Sequence, residues 1–125
     1  MAVLKIKDPE LYRLMKNFLT SYLPDTKQKS AHTILAYRDA LNLYMDFLDS
    51  VKSIKLKNVC ISDFNQENIS SFLRWLHEER GNESTTINQR LSHIKGFCNM
   101  FKRRISCLLR LTAKYAELQD TKMKE

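Results

Sequence analysis

The sequence predicts an all-α fold, a compact bundle of four to five helices. Three observations carry this. Apolar residues recur at three- and four-residue spacing through most of the chain. Only two Gly and two Pro interrupt that rhythm, while strong helix formers such as Leu, Lys, Met and Gln are plentiful. A capping residue stands before each periodic run. With 125 residues, 43% of them hydrophobic, the chain is sized for one domain with a real core. The expected helical core spans about 9–118, and 119–125 should fray.

The first helix starts at Asp8-Pro9, an N-cap followed by a proline at the first helical position. Leu11, Leu14, Met15, Phe18 and Tyr22 give its apolar stripe, and Pro24 is expected to stop it. A polar, basic linker, "PDTKQKS", follows. Ser30 should cap the second helix, about 20 residues or roughly 30 Å long. Its buried stripe is Ile34, Leu41, Met45 and Leu48, with Tyr44 alongside. Residues 51–62 lack helical periodicity and read as a loop or a short extended piece. Asn65 should cap the third helix, with Glu67 placed to favour the positive end of its dipole. Ile69, Phe72, Leu73 and Leu76 form its apolar face, and Gly81-Asn82 its stop. Trp75 lies off that stripe. Ser84 or Thr85 should cap the fourth helix, whose stripe is Ile87, Leu91, Ile94, Cys98, Phe101 and Ile105. Leu108, Leu111, Tyr115 and Leu118 predict a fifth helix or a continuation of the fourth.

The formal charge is +7, and it is uneven. Residues 1–80 hold 12 Lys/Arg against 10 Asp/Glu, whereas 81–125 hold nine against four. A basic balance of this kind points toward nucleic acid or another anionic surface, and says nothing of fold. Cys60, Cys98 and Cys107 are odd in number and show no CxxC spacing, which argues against a disulfide framework or a zinc site. Charges interrupt the N-terminal run, so no signal peptide is expected, and no apolar run is long enough for a membrane. The expected setting is cytoplasmic, with no membrane partner.

The second and fourth helices open alike. One reads "SAHTILAYRDAL" and the other "STTINQRLSHIKGF". Ser30, Thr33, Tyr37 and Leu41, with Phe47 further along, resemble the second helix of the N-terminal core-binding, or SAM-like, domain of the tyrosine recombinases, the phage integrase family. Phe64, Asn65, Asn68, Ile69, Phe72, Leu73 and Leu76 are similar to its third helix, with Asn65 and Asn68 in place of the usual Thr and Asp. Thr86, Leu91, Ser92, Ile94, Lys95 and Phe97 are similar to its fourth. The resemblance covers roughly 9–103. It implies a DNA-binding domain that grips one arm of a recombination site, as half of a clamp around double-stranded DNA. The other half is a catalytic domain of the same parent protein. The implied parent reaction cleaves a strand with a tyrosine, forms a 3′-phosphotyrosyl intermediate and religates. It needs no cofactor, and its catalytic residues belong to a domain that these residues do not build. The resemblance also implies protomer–protomer contact through 105–118 in a synaptic tetramer, closure of the bundle being the alternative.

Arg38, His77-Glu-Glu-Arg80 and Tyr115 imitate the family's catalytic pattern. They fall inside the core-binding pattern or after it, without the context that such a motif needs. They are expected to be solvated helix residues or packing residues, so no catalytic residue and no enzyme activity are expected here.

The residue chemistry suits DNA. A helix N-terminus offers free N–H groups and a partial positive charge to a phosphate. Lys27, Lys29, Ser30, Thr33 and Arg38 collect at the start of the second helix, and Ser84, Thr85 and Thr86 at the start of the fourth. The fourth helix then presents Asn88, Gln89, Arg90, His93, Lys95, Lys102 and Arg103. Lys27, Lys29, Thr33 and Lys102 are the expected phosphate contacts. Gln89, Arg90, His93 and Lys95 are the expected base-edge contacts, because Gln suits adenine and Arg suits guanine. Tyr37 is expected to pack half-buried. Ser and Thr at helix starts are also ordinary caps. The main rival is a helical protein-interaction module with an incidental basic face. A helix-turn-helix regulator fits poorly, because the helices around Gly81 are too long.

Overall fold

A computed structural model describes the backbone of residues 6–123 and the side chains of 6–103. The described residues are all-α, with no strand among them. Four α-helices follow in order: α1 (Pro9–Asn17), α2 (Ala31–Lys52), α3 (Gln66–Glu78) and α4 (Ser84–Met123).

The expected caps at the first three helices are present. Asp8 accepts from the Leu11 N–H with one carboxylate oxygen, and from the Ile61 N–H at 3.0 Å with the other. Its cap therefore also ties the start of the chain to the loop before α3. Ser30 Oγ accepts from the Thr33 N–H at 3.2 Å. Asn65 Oδ1 accepts from the Asn68 N–H at 2.8 Å. Gly81, at φ +64°, closes α3, and the Asn82 N–H donates back to the Leu76 carbonyl.

Three boundaries differ from expectation. Pro24 does not stop the first helix. The chain continues from α1 as a π-helical segment, Phe18–Thr26, with Pro24 inside it. In α geometry the proline ring would collide with the carbonyl four residues back, and the wider π turn abandons that register. The second correction concerns α4. Its first helical residue is Ser84, and the Glu83 carbonyl accepts from the Ile87 N–H. The capping position is therefore Glu83, one residue before the expected hydroxyls. Third, α4 runs unbroken to Met123, past the expected end at 118; 108–118 is the continuation of α4, one of the two expected alternatives. The side chains of Ile105, Cys107, Leu108, Leu111, Tyr115 and Leu118 lie outside the described residues.

Residues 51–62 resolve into the end of α2 and two short 3₁₀ turns, Leu56–Asn58 and Ile61–Asp63. The α2 terminus is closed by Ser53 in the left-handed region, with the Ile54 N–H on the Leu48 carbonyl.

Aromatic rings organise the core. Phe97 of α4 meets Phe18 and Phe64, each at 5.3 Å between ring centres. Tyr44 of α2 stacks near Phe64 at 4.7 Å and meets Phe72 of α3 edge-on at 5.1 Å. Its hydroxyl donates to the Asp63 carbonyl at 2.6 Å, and burial pushes its pKa well above the usual tyrosine range. Trp75 covers the core edge against Phe47 and Phe72, and the Arg80 guanidinium lies 5.6 Å from its ring centre. Among the described side chains of α4, Ile94, Phe97, Cys98, Met100 and Phe101 are buried. Ile87 is only partly buried.

Cys98 sits inside this core, and burial raises its thiol pKa to about 11, against a smaller opposing pull from Lys102. It should therefore stay protonated and unmodified by a thiolate-selective alkylating reagent at pH 8 while the domain is folded. Half-buried Cys60 should react first. Mass mapping of the labelled cysteines checks this; equal labelling of both in the folded protein would contradict the placement of Cys98.

Candidate nucleic-acid interface

The first half of α2 packs against the first half of α4. The crossing is made by Tyr37, whose ring lies 4.5 Å from that of His93 and 5.5 Å from that of Phe18. Gly96 lies directly beneath it. A Cβ there would stand 3.0 Å from Tyr37 Cε1, a contact tight enough that the ring would have to give by a few tenths of an ångström. Gly96 is thus the residue that lets the two helices approach at this point. The Tyr37 ring also meets Phe18 and His93, so any shift of it disturbs both contacts. Gly96→Val should destabilise the domain by about 1–3 kcal/mol through overpacking, despite the poor helix propensity of glycine. A shift of the urea midpoint checks this; an unchanged midpoint would mean that the crossing is looser than described.

This crossing brings distant basic residues together. Lys27 and Lys29 from the linker and Arg103 from α4 line one open cleft of about 260 Å³ with Asn99. Its floor holds Tyr22, Tyr37 and Gly96. The linker is held over the cleft by its own backbone: the Lys27 N–H donates to the Tyr22 carbonyl and the Lys29 N–H to the Leu23 carbonyl. Lys27 Nζ lies 5.8 Å from the Tyr22 ring centre. Among the described residues, none that lines the cleft is acidic.

The other candidates divide by exposure. Arg38, Ser84, Thr85, Asn88, Gln89, Lys95, Lys102 and Arg103 are exposed. On α4 the residues Thr85, Asn88, Ser92, Asn99 and Arg103 follow one another at helical spacing, with Lys95 and Lys102 beside them. The sequence from Ser84 to Ala116 contains no Asp or Glu. This polar stripe faces away from the Ile94–Phe101 core, as its periodicity predicts. The described part, Ser84–Arg103, is about 30 Å long.

Ser30 is exposed, but its hydroxyl is engaged in the cap and also bonds Thr33 Oγ1 at 3.1 Å. Thr33 and Thr86 are half-buried. Arg90 and His93 depart furthest from the expected surface role. Both are half-buried, and Arg90 Nε and His93 Nδ1 are buried without a hydrogen bond. Burial, then the neighbouring Arg90 cation, lowers the His93 pKa, which favours the neutral ring. Packing on Tyr37 makes His93 part of the helix crossing.

Tyr22, Gly96 and Asn99 are the cleft residues that sequence reasoning did not single out. Gly96 had a usable signal. It is a glycine in the middle of a strong helix, a pattern that marks close approach.

Arg38 is exposed on α2, and His77 and Arg80 are exposed at the end of α3. Tyr115 lies outside the described side chains. Among the described residues no group of three or more His, Cys, Asp or Glu is placed to hold a metal ion. No helix among them is long and apolar enough to cross a membrane.

A family model described as phage integrase, N-terminal SAM-like domain, matches residues 16–105. That domain carries no catalytic residues of its own. Neither a comparison with curated proteins nor one with solved structures returned a match.

Proposed function

Because the chain belongs to the N-terminal SAM-like domain family of phage integrases, we propose that it grips duplex DNA through the face formed by the linker, the start of α2 and the polar stripe of α4. The observation that carries this reading is the convergence of Lys27, Lys29 and Arg103 on one cleft that continues into an acid-free helix face. Lys27, Lys29, Arg38, Lys102 and Arg103 supply phosphate contacts, helped by Ser84, Thr85 and the helix start they occupy. Asn88, Gln89 and Lys95 are exposed on the stripe and take the base-edge role; Arg90 reaches the groove from its partly buried stem. His93 supports Tyr37 and Arg90 from below. Ser30 and Thr33 act mainly as the cap that fixes where the lysines stand.

In this reading the domain is one jaw of a clamp. A tyrosine-recombinase catalytic domain of the parent protein is the other jaw and performs strand cleavage and religation. The domain's contribution is position, because phosphate contacts set register and orientation on the duplex.

Binding to a generic duplex should depend steeply on salt. With five basic residues of this face meeting phosphate, the slope of log K against log salt should be about −4 to −5. Fluorescence anisotropy between about 50 and 200 mM salt should then show a loss of roughly two to three orders of magnitude. A slope near zero, or no binding at the lower salt, would contradict the proposal.

A further inference from the structure

A second surface lies at the other end of α2 from the cleft. There the segment before α1 crosses the first 3₁₀ turn, and the Lys7 N–H donates to the Lys57 carbonyl at 2.8 Å. Ile6, Tyr12 and Leu56 line an open groove of about 570 Å³, together with Asp49, Lys55 and Lys57. Ile6 is 43% exposed and Leu56 59%. Two large apolar side chains are therefore turned outward into one depression, where solitary exposure would have needed no explanation.

The exposure is built into the backbone. The Leu56 turn is held by the Asn58 N–H on the Lys55 carbonyl, and the Tyr12 hydroxyl donates to the Leu56 carbonyl. Asp8 pins the following turn through the Ile61 N–H. Leu56 is thus presented at the tip of a turn fixed on two sides.

The rim has a definite charge. Asp49, the one acid among the described residues that line the groove, is paired with Lys55 at 3.1 Å. Lys57 remains, and the backbone bond sets exposed Lys7 beside it. The groove therefore offers an apolar floor with a net positive edge. A DNA backbone would satisfy the edge but would strand the floor against phosphate and water. A protein segment with an apolar anchor among carboxylates satisfies both.

We propose that this groove docks an acidic segment of a protein partner, one that inserts a leucine or phenylalanine beside Leu56 and sets carboxylates against Lys57 and Lys7. From Ser30 to Asp49 is about 28 Å along α2, so the partner and DNA can be held at once.

The test uses the full chain and two synthetic peptides, one with a single leucine among glutamates and one with lysines in place of the glutamates. Backbone amide shifts are followed by NMR. The acidic peptide should move residues 6–7, 12 and 55–57, saturate with a dissociation constant below about 1 mM, and weaken with salt. The lysine peptide should leave them unmoved. Leu56→Ser and Lys57→Glu, both at exposed positions and with circular dichroism unchanged, should each weaken the acidic peptide at least fivefold. No shift at these residues, or an equal response to both peptides, overturns the proposal. So does self-association in sedimentation that Leu56→Ser abolishes, which would make the groove a contact between copies of the chain. Duplex DNA moving residues 6–7 and 55–57 would overturn it as well, and would assign the groove to nucleic acid.

Discussion

Replacing Ile94 by aspartate is expected to unfold the domain. Ile94 has no exposed surface and belongs to the hydrophobic core on the buried face of α4. The change removes an aliphatic side chain from a packed site, a loss of about 2–4 kcal/mol in comparable large-to-small changes. It also places a carboxylate in a core that buries no polar or charged residue among those described. An unpaired buried charge costs several kcal/mol more, or must be neutralised by a raised pKa at similar cost. Together these approach the whole stability of a small domain, about 5–15 kcal/mol. Circular dichroism should show loss of the cooperative thermal transition. A variant that melts like the parent would mean that α4 buries a different face.

The second large effect is on DNA. Lys102→Ala combined with Arg103→Ala should lower the salt slope by roughly two units, at about 0.9 per phosphate contact. Affinity near 0.1 M salt should fall roughly 10–100-fold if both side chains meet phosphate. Both residues are exposed, so the fold should survive and the effect can be read as binding. Arg103 carries the sharper expectation, because it shares the cleft with Lys27 and Lys29. An unchanged slope would remove these residues from the interface while leaving the fold intact.

Much of the architecture is local chemistry and was readable as such. Asp8 before Pro9, Ser30, Asn65 and Gly81 are residues whose side chain or backbone freedom satisfies a helix end whatever the tertiary context. The stripe of α4 was legible because one face of a long helix must be apolar to be buried. The misses have a common cause. The π segment through Pro24 depends on the helix being held from outside by its packing on α2 and α4, through contacts such as Phe18 with Tyr37 and Phe97. Propensity alone reads a proline as a stop. The helical residues of α4 begin one position early, at Ser84, so the N-cap position falls on Glu83 just before three hydroxyl residues that are themselves the commoner caps.

The candidate site was legible as a list and not as a place. Lys27, Lys29 and Arg103 are distant in sequence, and only the Tyr37–Gly96 crossing brings them to one cleft. The same crossing moved His93 inward. A histidine flanked by polar neighbours in sequence, Ser92 and Arg90 among them, turned out to face Tyr37 across a helix contact. Side-chain surroundings of this kind are set by which helix lies opposite, and spacing along one helix does not contain that information.

The central claim is that the linker, the start of α2 and the polar stripe of α4 form one DNA-binding face. A backbone amide NMR titration with a generic duplex, run at low salt and again near physiological salt, tests it most directly. The account predicts shifts gathered on residues 27–38 and 84–103, fading as salt rises, with α3 and the Leu56 turn undisturbed. Intact spectra with no shifts on those two segments at low salt, or shifts centred on α3, would contradict it.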